Sequence, residues 1–298
     1  MIIIKILFIG CVQSSKLLLE ALIDSHYEIV GVITKVQSTF NSDFVDLSDI
    51  CKKKSIDYLY VNSINDDSSI EYIKNKEPDL IYVFGWSQLI SNRIISIPSK
   101  GVVGFHPAEL PYNRGRHPLI WALVLGLKRT ASTFFFINEG ADDGDIISQV
   151  EVPIEYKDNA NTLYKKVMAV AVDQVKSFTE QFCNDSIVAI TQDNSKANYW
   201  RKRSEKDGEI DWRMSSNNIY YLVRALTKPY VGAHFIYNSK KYKVWSVKVL
   251  DKKHYENIEY GKILKVYSNI SFKIKTGDGV ILIENCDPIS LKEGDYLL

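Results

Sequence analysis

Apolar runs alternate with amphipathic stretches through the first half of the chain. Residues 2–9 are nearly all apolar, as expected of a strand that is buried on both faces of a parallel sheet. Gly10 follows this run, and Ser14 or Ser15 is placed to cap a helix that ends near Asp24. The same alternation predicts strands at 27–34, 58–61 and 80–84 and helices at 44–54 and 67–76. It therefore predicts an α/β domain with a Rossmann-like, mainly parallel sheet and helices on both faces.

The pattern changes in the second half of the chain. Apolar residues three and four apart predict a long helix at 159–183, after strands at 133–137 and 146–154. The composition becomes polar after residue 192, and a helix at 216–226 precedes short alternating strands with Gly and Asn turns. Such strands are typical of a small β-barrel, here OB-like. We predict an N-terminal catalytic domain over 1–192, a linker over 193–215 and a C-terminal barrel domain over 216–298.

Composition and charge narrow the class of protein. The chain is 46% hydrophobic and 24% charged, which is typical of a soluble globular protein, and its opening segment is expected to be a strand rather than a signal peptide. The four cysteines are far apart and form no CxxC pair, so we expect no metal site, no disulfide framework and a cytoplasmic location. Residues 201–298 carry a net charge of +6, whereas the first 200 carry −5. That excess is small for a nucleic-acid-binding surface, and no apolar run predicts a membrane span.

The residues best suited to chemistry lie in the middle of the chain. His106 ends an apolar run, an Arg114-Gly115-Arg116 loop follows, and an acidic turn spans residues 140–145. A histidine at a strand end and a carboxylate in a later loop can form a proton-transfer site once folding brings them together. The segment at residues 10–13 is not GxGxxG, which disfavours a nicotinamide enzyme.

These motifs resemble those of the folate-dependent formyltransferases, the family that contains methionyl-tRNA formyltransferase and the sugar N-formyltransferases. The HPAELPYNRGR segment resembles the family's His-Pro-Ser-Leu-Leu-Pro…Arg-Gly loop, and EGADDGDII resembles its Asp-x-Gly-(Asp/Ala)-Ile loop. Arg203 and residues 207–212 and 223–233 resemble the family's linker and C-terminal barrel. The resemblance covers nearly the whole chain. It implies transfer of a formyl group from the co-substrate 10-formyltetrahydrofolate to an amine, without a metal.

The resemblance also implies catalytic roles. His106 is expected to act as the base that takes a proton from the amine, and Asp142 is expected to orient it. The family places an Asn two residues before the His, where its amide stabilises the oxyanion, but this chain has Gly104 there. Loss of such a donor typically costs roughly 100- to 1,000-fold in rate. Protonated His106, a backbone N–H or Asn113 are the candidate replacements, and our hypothesis is that Asn113 compensates.

Ligand contacts follow from the same resemblance. The pterin is expected beside the loop after the strand at 80–84 and beside the acidic turn. The predicted folate-binding residues are Phe84, Gly85, Trp86, Gln88, Leu89, Asn138 and Gly140. Arg114 and Arg116 are predicted to bind a substrate phosphate or the folate tail, the alternative being that they are solvated surface charges.

Three acceptors remain open. A nucleotide-linked amino sugar, as used in polysaccharide biosynthesis, needs only a pocket and a pyrophosphate clamp, and it is our leading prediction. Methionyl-tRNA is the second, although the loop at 35–44, which is basic in that enzyme, has one Lys and one Asp here. A formyl-folate hydrolase or a folate-binding protein is the third, suggested by Gly104. The expected partners are therefore small molecules rather than nucleic acid or a membrane, and a homodimer is one expected assembly.

Overall fold

The computed structural model describes residues 4–38, 43–250 and 255–297. Its helices are α1 (Gln13–Asp24), α2 (Ser48–Lys54), α3 (Asp67–Lys76), α4 (Asn92–Ile95), α5 (Pro118–Val124), α6 (Ala160–Cys183) and α7 (Ser216–Leu226), with 3-10 turns at Asn194–Lys196 and Glu205–Gly208. Its strands are β1 (Lys5–Ile9), β2 (Glu28–Thr34), β3 (Tyr58–Tyr60), β4 (Leu80–Val83), β5 (Val102–His106), β6 (Arg114–Gly115), β7 (Arg129–Phe136), β8 (Ile146–Pro153), β9 (Tyr199–Trp200), β10 (Ala233–Tyr237), β11 (Lys240–Leu250), β12 (Ile263–Ser268), β13 (Ser271–Lys275) and β14 (Val280–Cys286).

The chain folds into two compact units, each built from separated stretches. The first contains residues 1–118, 130–152 and 165–200, and the second contains 119–129, 153–164 and 201–298. The structure thus keeps residues 165–200 in the first unit, past residue 192, whereas residues 119–129 and 153–164 belong to the second. The domain boundaries at 192 and 215 that we draw from the sequence stay a prediction.

The first unit is organised around a seven-stranded sheet with the order β3-β2-β1-β4-β5-β7-β8. The pairs from β3 to β5 are parallel, and β7 runs antiparallel to β5. The predicted α/β class with a mainly parallel sheet is confirmed. Residues 2 and 3 of the predicted first strand lie outside the described residues. The strand order reverses between β1 and β4, and ligands of such sheets bind at the carboxyl ends of the strands beside this point.

A cluster of buried rings supports the centre of this sheet. Phe84, which is 0% exposed, lies 5.6 Å from the ring of Phe8, 5.0 Å from Tyr82 and 5.2 Å from Phe134 between centroids. The Tyr82 hydroxyl is 2.7 Å from the Thr179 hydroxyl, so its polar end is also satisfied. The carboxyl end of β4 therefore rests on closely packed aromatic side chains, which favour edge-to-face and offset contacts.

The carboxyl ends of β1 and β4 are bound to each other directly. The Ser15 hydroxyl donates to the Phe84 carbonyl at 2.6 Å and accepts from the Val12 N–H at 3.1 Å. At Gly10 an ideal Cβ would lie 2.5 Å from the Phe84 carbonyl oxygen and 2.6 Å from Ser15 Oγ. The turn from β1 into α1 thus requires a residue without a side chain at position 10.

The second unit contains a five-stranded antiparallel sheet with the order β10-β11-β14-β13-β12, which confirms the predicted all-β character of this part. Arg224 on α7 is buried, and its guanidinium donates to the carbonyls of Leu123, Glu155, Tyr156 and Asp158. Burial lowers the pKa of this guanidinium. Among the described residues, none of the helices has the length and hydrophobicity needed to cross a bilayer.

We expect Gly10→Ala to lower the free energy of unfolding by about 1–3 kcal/mol, the usual cost of overpacking, because the added methyl meets a backbone oxygen that cannot move aside. Gly31→Ala on the adjacent strand β2 is the matched control, since its methyl meets the far end of the Tyr72 side chain, which can shift. Urea denaturation of both variants measures the difference. An equal loss in the two would contradict this account of the turn.

Candidate active site

The structure brings His106 and Asp142 together at the edge of the sheet. His106 ends β5 and is 5% exposed, and its Nδ1 lies 3.6 Å from Asp142 Oδ2. At this distance the contact is an ion pair when the imidazole is protonated, and it is longer than a hydrogen bond. The predicted base and the carboxylate predicted to orient it are therefore neighbours.

The second ring nitrogen of His106 is held by the main chain. Nε2 lies 2.8 Å from the carbonyl oxygen of Asn113. A carbonyl only accepts, so this hydrogen bond requires the proton on Nε2 and leaves Nδ1 to face Asp142. A proton taken up at Nδ1 would complete an imidazolium with an acceptor on each side.

Asp142 is fixed by contacts to both its side chain and its backbone. Its Oδ2 accepts from the Gly115 N–H at 2.8 Å, and its carbonyl accepts from Gln192 Nε2 at 3.0 Å. The backbone of Asp142 is left-handed, with φ of 57°, a conformation that costs free energy unless neighbouring contacts impose it. Gly115 has φ of 102°, and a Cβ there would lie 2.4 Å from the Trp200 carbonyl, so position 115 requires glycine.

Asn113 contributes its carbonyl to His106 and its side chain to a neighbouring asparagine. The Asn113 N–H donates to Asn198 Oδ1 at 2.9 Å, and its own Oδ1 accepts from Asn198 Nδ2 at 3.4 Å. Because Oδ1 faces Asn198, the amide nitrogen of Asn113, which lies in the same plane, is directed away from Asn198. The amide NH₂ is the group that our oxyanion hypothesis needs.

Apolar side chains lie close to the position that a side chain at residue 104 would occupy. A Cβ on Gly104 would lie 3.0 Å from Ile137 Cγ1 and 3.0 Å from Phe135 Cζ. Phe135 belongs to an apolar cluster with Leu110 and Ile146, and Ile137 packs against it. An Asn at position 104 would therefore require these apolar side chains to shift by a few tenths of an ångström.

Two predicted folate-binding residues serve mainly the fold. The Phe84 side chain is in the core, its N–H donates to the Ile9 carbonyl and its carbonyl accepts from Ser15. Gly85 has φ of 71°, and a Cβ there would lie 2.2 Å from Val12 Cγ2. We predict from the sequence that this glycine lets the backbone approach a ligand, whereas its close contact in the structure is with the β1–α1 turn.

Trp86, Gln88 and Leu89, in the loop after β4, differ in exposure and in their contacts within the protein. Trp86 is half-buried, Lys35 Nζ lies 4.8 Å from its ring centroid, and its Nε1 is buried without a hydrogen-bond partner among the described residues. The Gln88 side chain accepts from the Ile64 N–H and donates to the Asn62 carbonyl, each at 3.0 Å, so it is used within the protein. Leu89 is 67% exposed and presents an apolar side chain to solvent.

Asn138 and Gly140 lie in the turn that leads to Asp142. Asn138 Oδ1 accepts from the Gly140 N–H at 3.1 Å, which stabilises a local turn. A Cβ on Gly140 would lie 1.9 Å from Asp143 Oδ2, so the turn closes tightly on itself.

The two predicted anion-binding arginines have different environments. Arg114 is 2% exposed, and its guanidinium donates to Gln192 Oε1, Asn194 Oδ1 and the Tyr199 hydroxyl. The guanidinium already donates to these three side chains. We therefore leave Arg114 out of the proposed contacts to a substrate phosphate or the folate tail. Arg116 is exposed, and its Nη2 donates to the Ser87 carbonyl at 3.0 Å.

Two residues that are not predicted from the sequence hold the Asp142 and Asn113 loops by hydrogen bonds. Gln192 and Asn198 contact the Asp142 and Asn113 loops from positions 50 and 85 residues further along the chain. No motif or spacing marks them, and residue 192 lies at the predicted end of the first domain. In the part of the chain that the structure describes, no three His, Cys, Asp or Glu side chains are grouped to hold a metal ion.

The fold has close counterparts among solved structures. WlaRD, a sugar 3N-formyl transferase determined in the presence of dTDP and 5-N-formyl-THF, matches 97% of this chain and 99% of its own, with a TM-score of 0.72 and 19% identity. HypX from Aquifex aeolicus in complex with tetrahydrofolic acid matches 95% of this chain at a TM-score of 0.69 and 18% identity, although this covers only 44% of HypX. At these identities the likeness shows the fold.

Curated relatives are closer in sequence. The bifunctional polymyxin resistance protein ArnA of Wigglesworthia glossinidia brevipalpis is 34% identical over 78% of this chain, and the chain spans 36% of that protein. The methionyl-tRNA formyltransferase of Clostridioides difficile is 29% identical over 98% of this chain and 96% of its own length.

Two family models cover most of the chain. Residues 4–177 match the formyl transferase model, and residues 202–293 match the formyl transferase C-terminal domain model. The first match contains His106, Asn113 and Asp142, and therefore both members of the candidate proton-transfer pair. The chain therefore belongs to the formyl transferase family and is an enzyme that transfers a formyl group from formyl-tetrahydrofolate.

Proposed function

We propose that this enzyme formylates the amine of a nucleotide-linked amino sugar, with His106 as the base and Asp142 as the carboxylate that orients it. The observation that carries the mechanism is the contact of His106 Nδ1 with Asp142 Oδ2 at 3.6 Å, while Nε2 donates to the Asn113 carbonyl. Bound formyl-tetrahydrofolate supplies the activated one-carbon group. Side chains of this protein accept the proton of the attacking amine and stabilise the negative charge that develops on the formyl oxygen.

His106 is arranged to hold a proton during the reaction. The amine that attacks the formyl carbon must lose a proton, and Nδ1 is the ring nitrogen left to accept it. The same proton is then available for the folate nitrogen when its bond to the formyl carbon breaks. The imidazolium then has Asn113 O as the acceptor for Nε2–H and the Asp142 carboxylate beside Nδ1–H. Because Asp142 is held by Gly115 and Gln192, the charge that stabilises the imidazolium is in place before the reaction begins.

Asn113 is our proposed replacement for the missing amide at position 104. Its backbone carbonyl touches the His106 ring, which places its side chain in the same loop as the base. With Oδ1 engaged by Asn198, its NH₂ is the group that can donate to a negatively charged formyl oxygen. This assignment is consistent with the apolar filling of the space beside Gly104.

We propose that the folate binds against the loop after β4 and the turn before Asp142. Leu89 and the ring of Trp86 are the apolar surfaces available there, and the backbone around Asn138 and Gly140 supplies polar contacts. Phe84, Gly85 and Gln88 then act indirectly, by holding this loop on the sheet. Arg116 is the side chain that we assign to a phosphate or to the folate tail.

The likeness to WlaRD, which was solved with dTDP and 5-N-formyl-THF, favours a nucleotide-linked sugar as acceptor. The weakly charged loop at 35–44 points the same way, although residues 39–42 of this loop lie outside the described residues. Methionyl-tRNA is the second candidate, favoured by the nearly full-length match to the Clostridioides difficile enzyme and by the +6 charge of residues 201–298. A cytoplasmic location and a homodimer stay predictions.

We expect His106→Asn and Asp142→Asn each to lower kcat by about 100-fold or more, because general acid–base catalysis contributes roughly 10²–10⁴-fold. Asn at 142 tolerates a positive φ and can still accept from the Gly115 N–H, so this variant removes the charge and keeps the loop. Formyl-folate consumption with saturating acceptor measures the effect. If either variant kept more than a tenth of wild-type kcat at unchanged melting temperature, the proposed roles would be wrong.

We expect Asn113→Gly to lower kcat by roughly 100-fold if the side chain stabilises the oxyanion. Glycine is the appropriate replacement because Asn113 has φ of 64°, a conformation in which alanine is strained. Asn113→Asp is the comparison variant, since it has the same shape but no NH₂ donor. Turnover close to wild type in both variants would assign the donor role to another group.

The acceptor is identified by a direct comparison of three reactions. We expect formyl-folate to be consumed with one of the dTDP-, UDP-, GDP- or CMP-linked amino sugars, with formylated sugar as the product. Consumption only with methionyl-tRNA would replace the sugar proposal by the second candidate. Release of formate at the same rate without any acceptor would identify a hydrolase.

A further inference from the structure

We propose that Arg114 and Gln192 form a positioning pair that fixes Asp142 relative to His106. This proposal rests on the proposed function, because it concerns the same catalytic pair. It assigns a role in catalysis to two buried residues that do not themselves contact His106 in the structure.

Gln192 joins Arg114 to the loop that carries Asp142. It is 6% exposed, and its Nε2 donates to the Asp142 carbonyl at 3.0 Å and to the Gly144 carbonyl at 2.6 Å. Its Oε1 accepts from Arg114 Nε at 3.3 Å and from Nη2 at 2.7 Å. A guanidinium only donates, so Oε1 must face Arg114 and the NH₂ must face the two carbonyls. Arg114 therefore determines the orientation of the Gln192 amide, with its oxygen toward Arg114 and its nitrogen toward the Asp142 turn.

Arg114 is itself held rigidly. Besides Gln192, it donates to the Tyr199 hydroxyl at 2.9 Å and to Asn194 Oδ1 at 2.8 Å, and its backbone N–H donates to the Asn198 carbonyl at 3.0 Å. Its side-chain acceptors are all neutral, so the buried positive charge strengthens each hydrogen bond. Because several of its N–H groups donate at once, the planar guanidinium of Arg114 has little freedom to rotate. The Gln192 amide, which accepts from it, is restrained as well.

The short strand β6 thus reaches Asp142 by two routes. Gly115 donates its N–H directly to Asp142 Oδ2, and the adjacent Arg114 holds the Asp142 main chain through Gln192. One route fixes the carboxylate and the other fixes the backbone from which it projects. Asp142 needs both because its φ of 57° is not an intrinsically favoured conformation. Loss of the second route should let the carboxylate move away from His106 Nδ1.

The test is Gln192→Met, with Gln174→Met as the matched control. Gln174 is also 6% exposed, and its Nε2 donates to the Ser132 carbonyl in β7 at 3.1 Å and to Ser148 Oγ in β8 at 2.8 Å, rather than to the Asp142 turn. Both substitutions remove a buried amide of the same size from the same unit. We expect Gln192→Met to lower kcat by about 100-fold, the cost of roughly 1 Å of misplacement, and Gln174→Met to lower it less than about threefold.

Gln192→Glu separates positioning from a structural role and covers the case in which Gln192→Met fails to fold. Glutamate keeps an oxygen for Arg114 but turns an acceptor toward the carbonyls of Asp142 and Gly144, which repel it. A role limited to holding Arg114 would be restored by this variant, because the oxygen that accepts from Arg114 is kept and gains a charge. We expect kcat to stay about 100-fold below wild type.

The ¹⁵N NMR signals of His106, assigned by their loss in His106→Asn, give a readout that does not depend on turnover. We expect the Nδ1 signal to change in Gln192→Glu and to stay at its wild-type position in Gln174→Met. Wild-type signals and turnover in Gln192→Glu would overturn the positioning proposal. Full turnover in His106→Asn would instead overturn the proposed function, so the two failures are distinguishable.

Discussion

The candidate site depends on the position of one aspartate. The Asp142 carboxylate has to face the His106 imidazole, and a main-chain hydrogen bond already holds that ring in one orientation. His106 is fixed through Nε2 by the Asn113 carbonyl, and Asp142 is fixed through its carboxylate by Gly115 and through its carbonyl by Gln192. Neither residue could be placed by its own segment, because a strand end and a loop residue with φ of 57° need partners from elsewhere in the fold. The pairing of β6 with β9 supplies these partners.

The sheet explains why these segments converge. β5 lies beside β4 in the parallel part of the sheet, and its carboxyl end carries His106 to the edge where the strand order has reversed between β1 and β4. β7 runs antiparallel to β5, so the chain leaves β7 at Phe136 beside the start of β5. The segment that follows has to run back along β5 to bring the Asp142 carboxylate within 3.6 Å of His106 Nδ1. The site is therefore a consequence of strand order together with the loops at the sheet edge.

Much of this could be predicted from the sequence, and the remainder could not for identifiable reasons. The apolar runs predict β1, β2 and β4 to within a few residues, and the flanking motifs mark His106 and Asp142. The role of Arg114 could not be predicted, because a motif gives a residue's position and not its burial. Gln192 and Asn198 are polar residues in a polar stretch, and only the pairing of β9 with β6 brings them to the site. Gly85 shows a related difficulty, since a glycine required by packing and a glycine required by a ligand look the same in a sequence.

All of these proposals require that the formyl group is transferred beside His106 and Asp142. A crystal structure with a formyl-folate analogue that cannot transfer its formyl group, together with the acceptor, tests it most directly. We expect the acceptor nitrogen to lie within about 3.5 Å of the formyl carbon and within hydrogen-bond reach of His106 Nδ1 or Asp142, directly or through one water. A formyl group bound well away from both side chains, with neither able to reach the amine, would contradict it.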